Sequence, residues 1–84
     1  MITAQMKAEQ AAAALLTQVQ AETARLRSIA DVAIAPLQDA VDLDEATDSE
    51  AALLKEWKRY RVALNRLPEQ QGYPAEISWP APPA

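Results

Sequence analysis

The side chains of this 84-residue chain that can do chemistry bunch in two short stretches. Asp42, Asp44, Glu45 and Asp48 stand close together, and residues 55–66, KEWKRYRVALNR, hold five of the eight basic residues with Trp57 and Tyr60 among them. Grouped carboxylates can serve acid–base chemistry or a calcium ion. Bases interleaved with aromatics can neutralise and stack on a single-stranded nucleic acid. Inventory weighs against the first two. An EF-hand loop needs ligands at alternating positions and Gly at the sixth, and the acidic segment has no Gly. With no His and no Cys in the chain, the serines lack an imidazole base, and the commonest metal ligand and the thiolate are both missing. The single glycine, Gly72, cannot build a phosphate cradle. No catalytic residue, metal ligand or cofactor site is expected, and the carboxylates read as helix-capping and solvated loop groups.

The basic and aromatic residues separate once they are placed on a helix. At 100° per residue Leu53, Trp57, Tyr60, Leu64 and Leu67 share one sector, while Lys55, Lys58, Arg59 and Arg66 lie opposite. Rings and charges on opposite faces do not make a stacking groove, and a net charge of −4 gives no general attraction to polyanions. A packed face backed by a solvated face is the simpler reading, with no nucleic-acid partner. Val62 stands on the polar side and Arg61 at its edge beside Leu54, so both are candidates for contact with another protein.

The elements that must position these residues follow from composition. Residues 3–41 are rich in Ala, Gln, Glu and Leu, with Pro36 as their only Pro or Gly, a strong helix former. Leu15, Val19, Leu26, Ile29, Ala33 and Leu37 fall in one stripe with Ala12 and Ala30 between them, interrupted by Glu22, as an imperfect coiled-coil seam. Pro36 removes a backbone donor and is expected to kink or divide this helix. Residues 42–47 form an acidic turn. Thr47 and Glu50 then fit a capping box, with acidic groups favoured at the positive end of the helix dipole, so a second helix is expected over 48–67, stopped by Pro68. Residues 68–84 hold five of the six prolines and read as an extended, polyproline-like tail. The fold class is all-α: one helical domain or fragment, an antiparallel helical hairpin with an extended tail. No apolar run is long enough to span a bilayer and no signal peptide is visible, so a cytoplasmic protein without a membrane partner is expected.

The two helices differ in length. At 1.5 Å per residue the first spans about 48 Å over its regular part and the second about 30 Å. Folded back at the acidic turn, the second reaches only to the neighbourhood of residue 20. Leu15, Leu16 and Val19 are then left for the tail (Ile77 and Trp79), a second copy or a different protein to cover. Self-association or docking is a physical expectation of that mismatch.

The stretch IAPLQDAVDL at residues 34–43, the acidic turn, and the helix carrying Trp57, Lys58, Tyr60, Arg61, Val62, Leu64, Asn65 and Arg66 occur in order, followed by Trp79 and Pro80. This succession resembles the C-terminal region of the tail fibre assembly proteins of tailed bacteriophages and prophages, over roughly residues 20–82. The resemblance implies a chaperone that binds the distal, C-terminal region of a tail fibre and assists its folding and trimerisation. It implies no catalysis and no cofactor, action in the bacterial host cytoplasm, and for some members retention at the fibre tip. Full-length relatives usually carry a separate N-terminal domain, whereas this chain begins almost directly in the long helix, as an excised fragment, a truncated prophage gene or a naturally short form would. Trp57, Tyr60 and Leu64 are expected in the core; Arg61, Val62, Asn65, Arg66 and Trp79, with Leu15, Leu16 and Val19, are the expected partner-binding residues. The other reading is a self-associating coiled-coil module, a homo-oligomer without chaperone activity of its own.

Overall fold

A computed structural model describes residues 3–83. The N- and C-terminal residues 1, 2 and 84, included in the expected single unit and in the expected tail, lie outside them. Two α-helices, α1 (Ala4–Asp42) and α2 (Asp48–Asn65), are followed by a short 3-10 helix at Leu67–Glu69, with no strand among the described residues. The helices fold back on one another as a hairpin, and the molecule measures 63 × 20 × 18 Å. At 1.5 Å per residue α1 alone spans about 58 Å, so one helix sets the length of the whole.

Each helix begins with a threonine cap. The Thr3 hydroxyl accepts the Met6 N–H at 3.1 Å. At α2 the capping box forms in both directions: Thr47 Oγ1 accepts the Glu50 N–H at 3.1 Å, and the Thr47 N–H donates to Glu50 Oε1 at 3.0 Å. Between the helices, Asp44 takes φ 58°. Its N–H donates to Val41 O at 3.0 Å and that of Glu45 to Ala40 O at 2.8 Å. This pair of bonds is the Schellman closure of α1, with an aspartate in the left-handed position usually given to Gly.

Pro36 does not divide α1, which runs unbroken through it. The carbonyl it cannot bond is that of Val32. Val32 is 75% exposed and Pro36 is exposed as well, so this turn of the helix is on the solvent face, where the orphaned group is open to water. α2 stops at Asn65 instead of 67. The residue before a proline is pushed away from α-helical backbone, and Pro68 opens a tighter 3-10 turn in which Leu67 nevertheless stays fully buried.

The core joins Ala30 and Ile34 of α1 to Leu54, Tyr60 and Leu64 of α2 and to Leu67, with Leu26, Leu37, Trp57, Tyr73 and Ile77 packed around them. The α1 stripe is rotated from the expected one. Ile34 is buried at 6% exposure, whereas Ile29 is 45% exposed. Glu22 leaves the stripe to pair with Arg25, and Thr23 takes the place on the buried face. Burying that hydroxyl is tolerated because it donates to Val19 O at 2.7 Å, the back-bond open to Ser and Thr in a helix. In α2, Leu54 is buried and Leu53 only partly so. Trp57 and Tyr60 meet edge to face, centroids 5.8 Å apart, a geometry the ring quadrupoles favour.

The tail is not uniformly extended. After the 3-10 turn the chain reverses through residues 70–76, where Gly72 has φ 91° and the Glu76 N–H donates to Gly72 O at 2.9 Å. The Gln70 side chain then holds the returning segment as a backbone would. Its Nε2 donates to Ser78 O at 2.9 Å and its Oε1 accepts the Ser78 N–H at 2.8 Å. That reversal lays Tyr73 and Ile77 on the core and runs Pro80, Ala81 and Pro83 beside Glu56, Arg59 and Tyr60 of α2. Residues 77–83 have no regular structure.

Candidate partner-binding site

The residues expected to meet a partner occupy several places. Arg61 turns toward α1, where its Nη1 lies 3.1 Å from Asp31 Oδ1. Its side chain is 36% exposed and that of Asp31 52%, so the pair closes the edge of the hairpin without adding much stability. Val62 points the other way and is 43% exposed. Arg66, exposed, is the C-terminal cap residue of α2. Asn65 is exposed at a separate, smaller pocket of about 250 Å³, lined also by Gln20, Thr23 and Arg27. Trp79 is 40% exposed on the returning tail.

Val62 and Arg66 come together in one open groove of about 660 Å³ on the outer face of α2. Lys58, Arg59, Ala63 and Gln70 complete it, with Glu69 at its end. Val62 and Ala63 give an apolar floor, and Lys58, Arg59 and Arg66 a cationic rim. None of these three cations has an ion-pair partner among the described residues, where the two ion pairs are Arg25–Glu22 and Arg61–Asp31. The wheel already sets Lys58, Arg59 and Arg66 opposite the core; the contribution of Gln70 carries no sequence signal, because it depends on the turn after Pro68.

The third place is the free end of α1. The C-terminal end of α2 and its following turn meet α1 around Gln20, Thr23 and Arg27, where the length mismatch put it. Val19 at that junction is buried, at 7% exposure, and so is not bare as expected. Leu15 and Leu16 are partly buried, while residues 4–14 are exposed throughout and Met6 is 47% exposed. Of the tail residues expected to cover this region, Ile77 packs on the core and Trp79 does not. Residues 4–18 therefore project from the hairpin as a solitary helical arm.

The electrostatics outside the groove are those of helix caps and surface pairs. Glu50 is held below the ordinary carboxylate range, chiefly by the backbone N–H of Thr47 and then by its side chain. Glu22 is lowered chiefly by its hydrogen bond to Arg25, whose two contacts measure 2.7 and 3.0 Å. Each carboxylate serves its own helix. Among the described residues no three acidic side chains converge as a metal site would require, and no helix is long and apolar enough to cross a membrane.

The hairpin thus presents a projecting arm at residues 4–18 and an open groove along α2. The family model of the Caudovirales tail fibre assembly protein, lambda gpK, matches residues 2–84. The chain belongs to the tail fibre assembly family. It is 50% identical over 58 residues to the tail fiber assembly protein of Escherichia phage lambda, covering 69% of this chain and 29% of that protein. Protein TfaD of Escherichia coli K12 matches equally, at 50% over 58 residues, 69% of this chain and 30% of the relative. A probable tail fiber assembly protein of Acyrthosiphon pisum secondary endosymbiont phage 1 is 44% identical over 69 residues, 82% of this chain and 43% of its own length. This chain thus spans less than half the length of these relatives. No solved structure matches it.

Proposed function

We propose that this chain acts as a chaperone segment. It binds tail fibre chains at their distal, C-terminal region, covers apolar surface before they trimerise, and promotes their folding without catalysis. The observation that carries this reading is an unpartnered helical arm and an open groove on a hairpin whose own core is closed, in a chain of this family. Fibre contact is assigned to Leu15 and Leu16 with Val19 at the base of the arm, to Val62, Asn65 and Arg66 around the end of α2, and to Trp79. Arg61 contributes from the rim once its pairing with Asp31 is exchanged, a low-cost step for an exposed pair. Residues 3–83 work as one unit built on the helical hairpin, in the host cytoplasm during assembly and at the fibre tip where retained.

Co-expression with the C-terminal region of a cognate fibre tests this. The expected result is co-purification and an increase in soluble, trimeric fibre. Neither association nor any change in fibre solubility would remove the proposal. A second reading, self-association as a coiled-coil module, draws on the arm: Ala12, Leu15 and Leu16, which lead to the buried Val19 and the core stripe, can pair with the same segment of another copy. Chaperone activity from a strict monomer would exclude it.

A further inference from the structure

We infer that the cationic groove of α2 receives the acidic turn of a second copy of this chain. This goes beyond both readings above, since neither assigns the groove and the turn to each other, and a fibre chain that contacts Val62 and Arg66 displaces the turn. The groove offers Val62, 43% exposed, on a floor shared with Ala63, and Lys58, Arg59 and Arg66 around it. Against those three cations stands one carboxylate at its end, Glu69. The turn is its counterpart in both shape and sign. Leu43 is 67% exposed at the tip of the hairpin, flanked by Asp42, Asp44 and Glu45, which have no ion-pair partner among the described residues. An aliphatic knob ringed by carboxylates fits an aliphatic floor ringed by cations, and opposed potentials favour that encounter.

The chain cannot fill its own groove. From Asp48 at the start of α2 to Val62 the helix rises about 21 Å, and the capping box and Schellman closure tie the turn to the helix ends. Only another molecule can bring the turn there. Two copies related by a twofold axis can each lodge the turn in the other's groove, so that one contact geometry is used twice and closes on itself. The association is electrostatic at its rim and small in apolar area, so it is weak and salt-sensitive.

Sedimentation velocity over a concentration series at low and high salt tests this without any fibre present, so the result is independent of the chaperone reading. The measurements use the full chain in a Leu16→Glu background, which prevents pairing of the arms from masking the contact. One variant reverses the groove (Arg59→Glu with Arg66→Glu) and one reverses the turn (Asp42→Lys with Glu45→Lys). These are exposed positions, and circular dichroism checks that each variant keeps its helices. The parent is expected to self-associate at low salt and dissociate as salt is raised. Each variant alone should associate about tenfold or more weakly than the parent. An equimolar mixture should recover association, because native turn meets native groove and reversed turn meets reversed groove. A parent that stays monomeric at low salt, variants that associate as the parent does, or folded variants that fail to associate when mixed would each overturn the inference.

Discussion

The two parts of α1 are alike in alanine-rich composition and opposite in situation. Residues 4–18 and residues 19–42 are both alanine-rich and belong to one unbroken helix. The second half buries Val19, Thr23, Ala30 and Ile34; the first buries nothing fully. Helix propensity alone makes a segment of that length marginal in water. The arm is therefore helical because it continues a helix already nucleated by packing, together with its Thr3 cap. The hairpin half is held by side-chain burial. Helical form in this chain is thus common to both regions, while full burial belongs to one, and the region without it is expected to open at lower free energy.

The sharpest way to break this contrast is a pair of truncations. Leu64→Ala, at a position with no exposure, is expected to cost about 3 kcal/mol through lost burial and the cavity left behind. Leu16→Ala in the arm should cost at most about 1 kcal/mol. Denaturant unfolding followed by circular dichroism reads both. Equal effects would mean that the arm is packed as tightly as the hairpin.

The returning tail comes next in size. Gly72→Ala places a Cβ 3.1 Å from Glu76 Cβ on backbone at φ 91°, and should cost about 1–2 kcal/mol. The loss of Tyr73 and Ile77 from the core would appear as a change in tryptophan and tyrosine fluorescence. At the start of α2, Thr47→Ala should cost about 1 kcal/mol, again measured by denaturant unfolding, with no effect on exchange of the arm.

Acidification gives the smallest effect. Glu50 and Glu22 both have folded pKa values below their ordinary ones. Protons therefore bind the unfolded chain more readily, and the stability these groups provide is full above the ordinary carboxylate range and lost as pH falls through their lowered values. Glu50→Gln should flatten the acid limb of a stability–pH curve, while Gln keeps a capping contact to Thr47. An unchanged acid limb would assign the loss to other carboxylates.

Much of this arrangement is legible in the sequence where a local rule governs. The capping box at Thr47 and Glu50 depends on spacing alone and forms as read. The aromatic face of α2 follows from periodicity, and Tyr60, Leu64 and Leu67 are buried. Periodicity was less able to set the α1 stripe, because alanines blur the wheel and the polar Thr23 looks unfit for a core. Its back-bond to Val19 makes it fit. Of the two outcomes expected at Pro36 the helix is not divided, because the rule concerns a lost bond whose cost depends on whether the orphaned carbonyl faces water. The tail reversal was hidden because the Gln70 clamp joins residues brought together only by the turn at Gly72. The groove was half visible, with Val62 and the bases on one side of the wheel, but its end is built by Glu69 and Gln70 beyond the helix.

Amide hydrogen exchange on this chain, free and bound to the C-terminal region of its cognate fibre, tests most directly whether the arm is held in reserve for a partner. In the free chain, amides of residues 19–42 and of α2 should be protected and those of residues 4–18 should exchange quickly. With the fibre bound, protection should spread into residues 4–18 and leave the hairpin nearly unchanged. An arm already as protected as the hairpin in the free chain, or one left unprotected in the complex, would contradict the account.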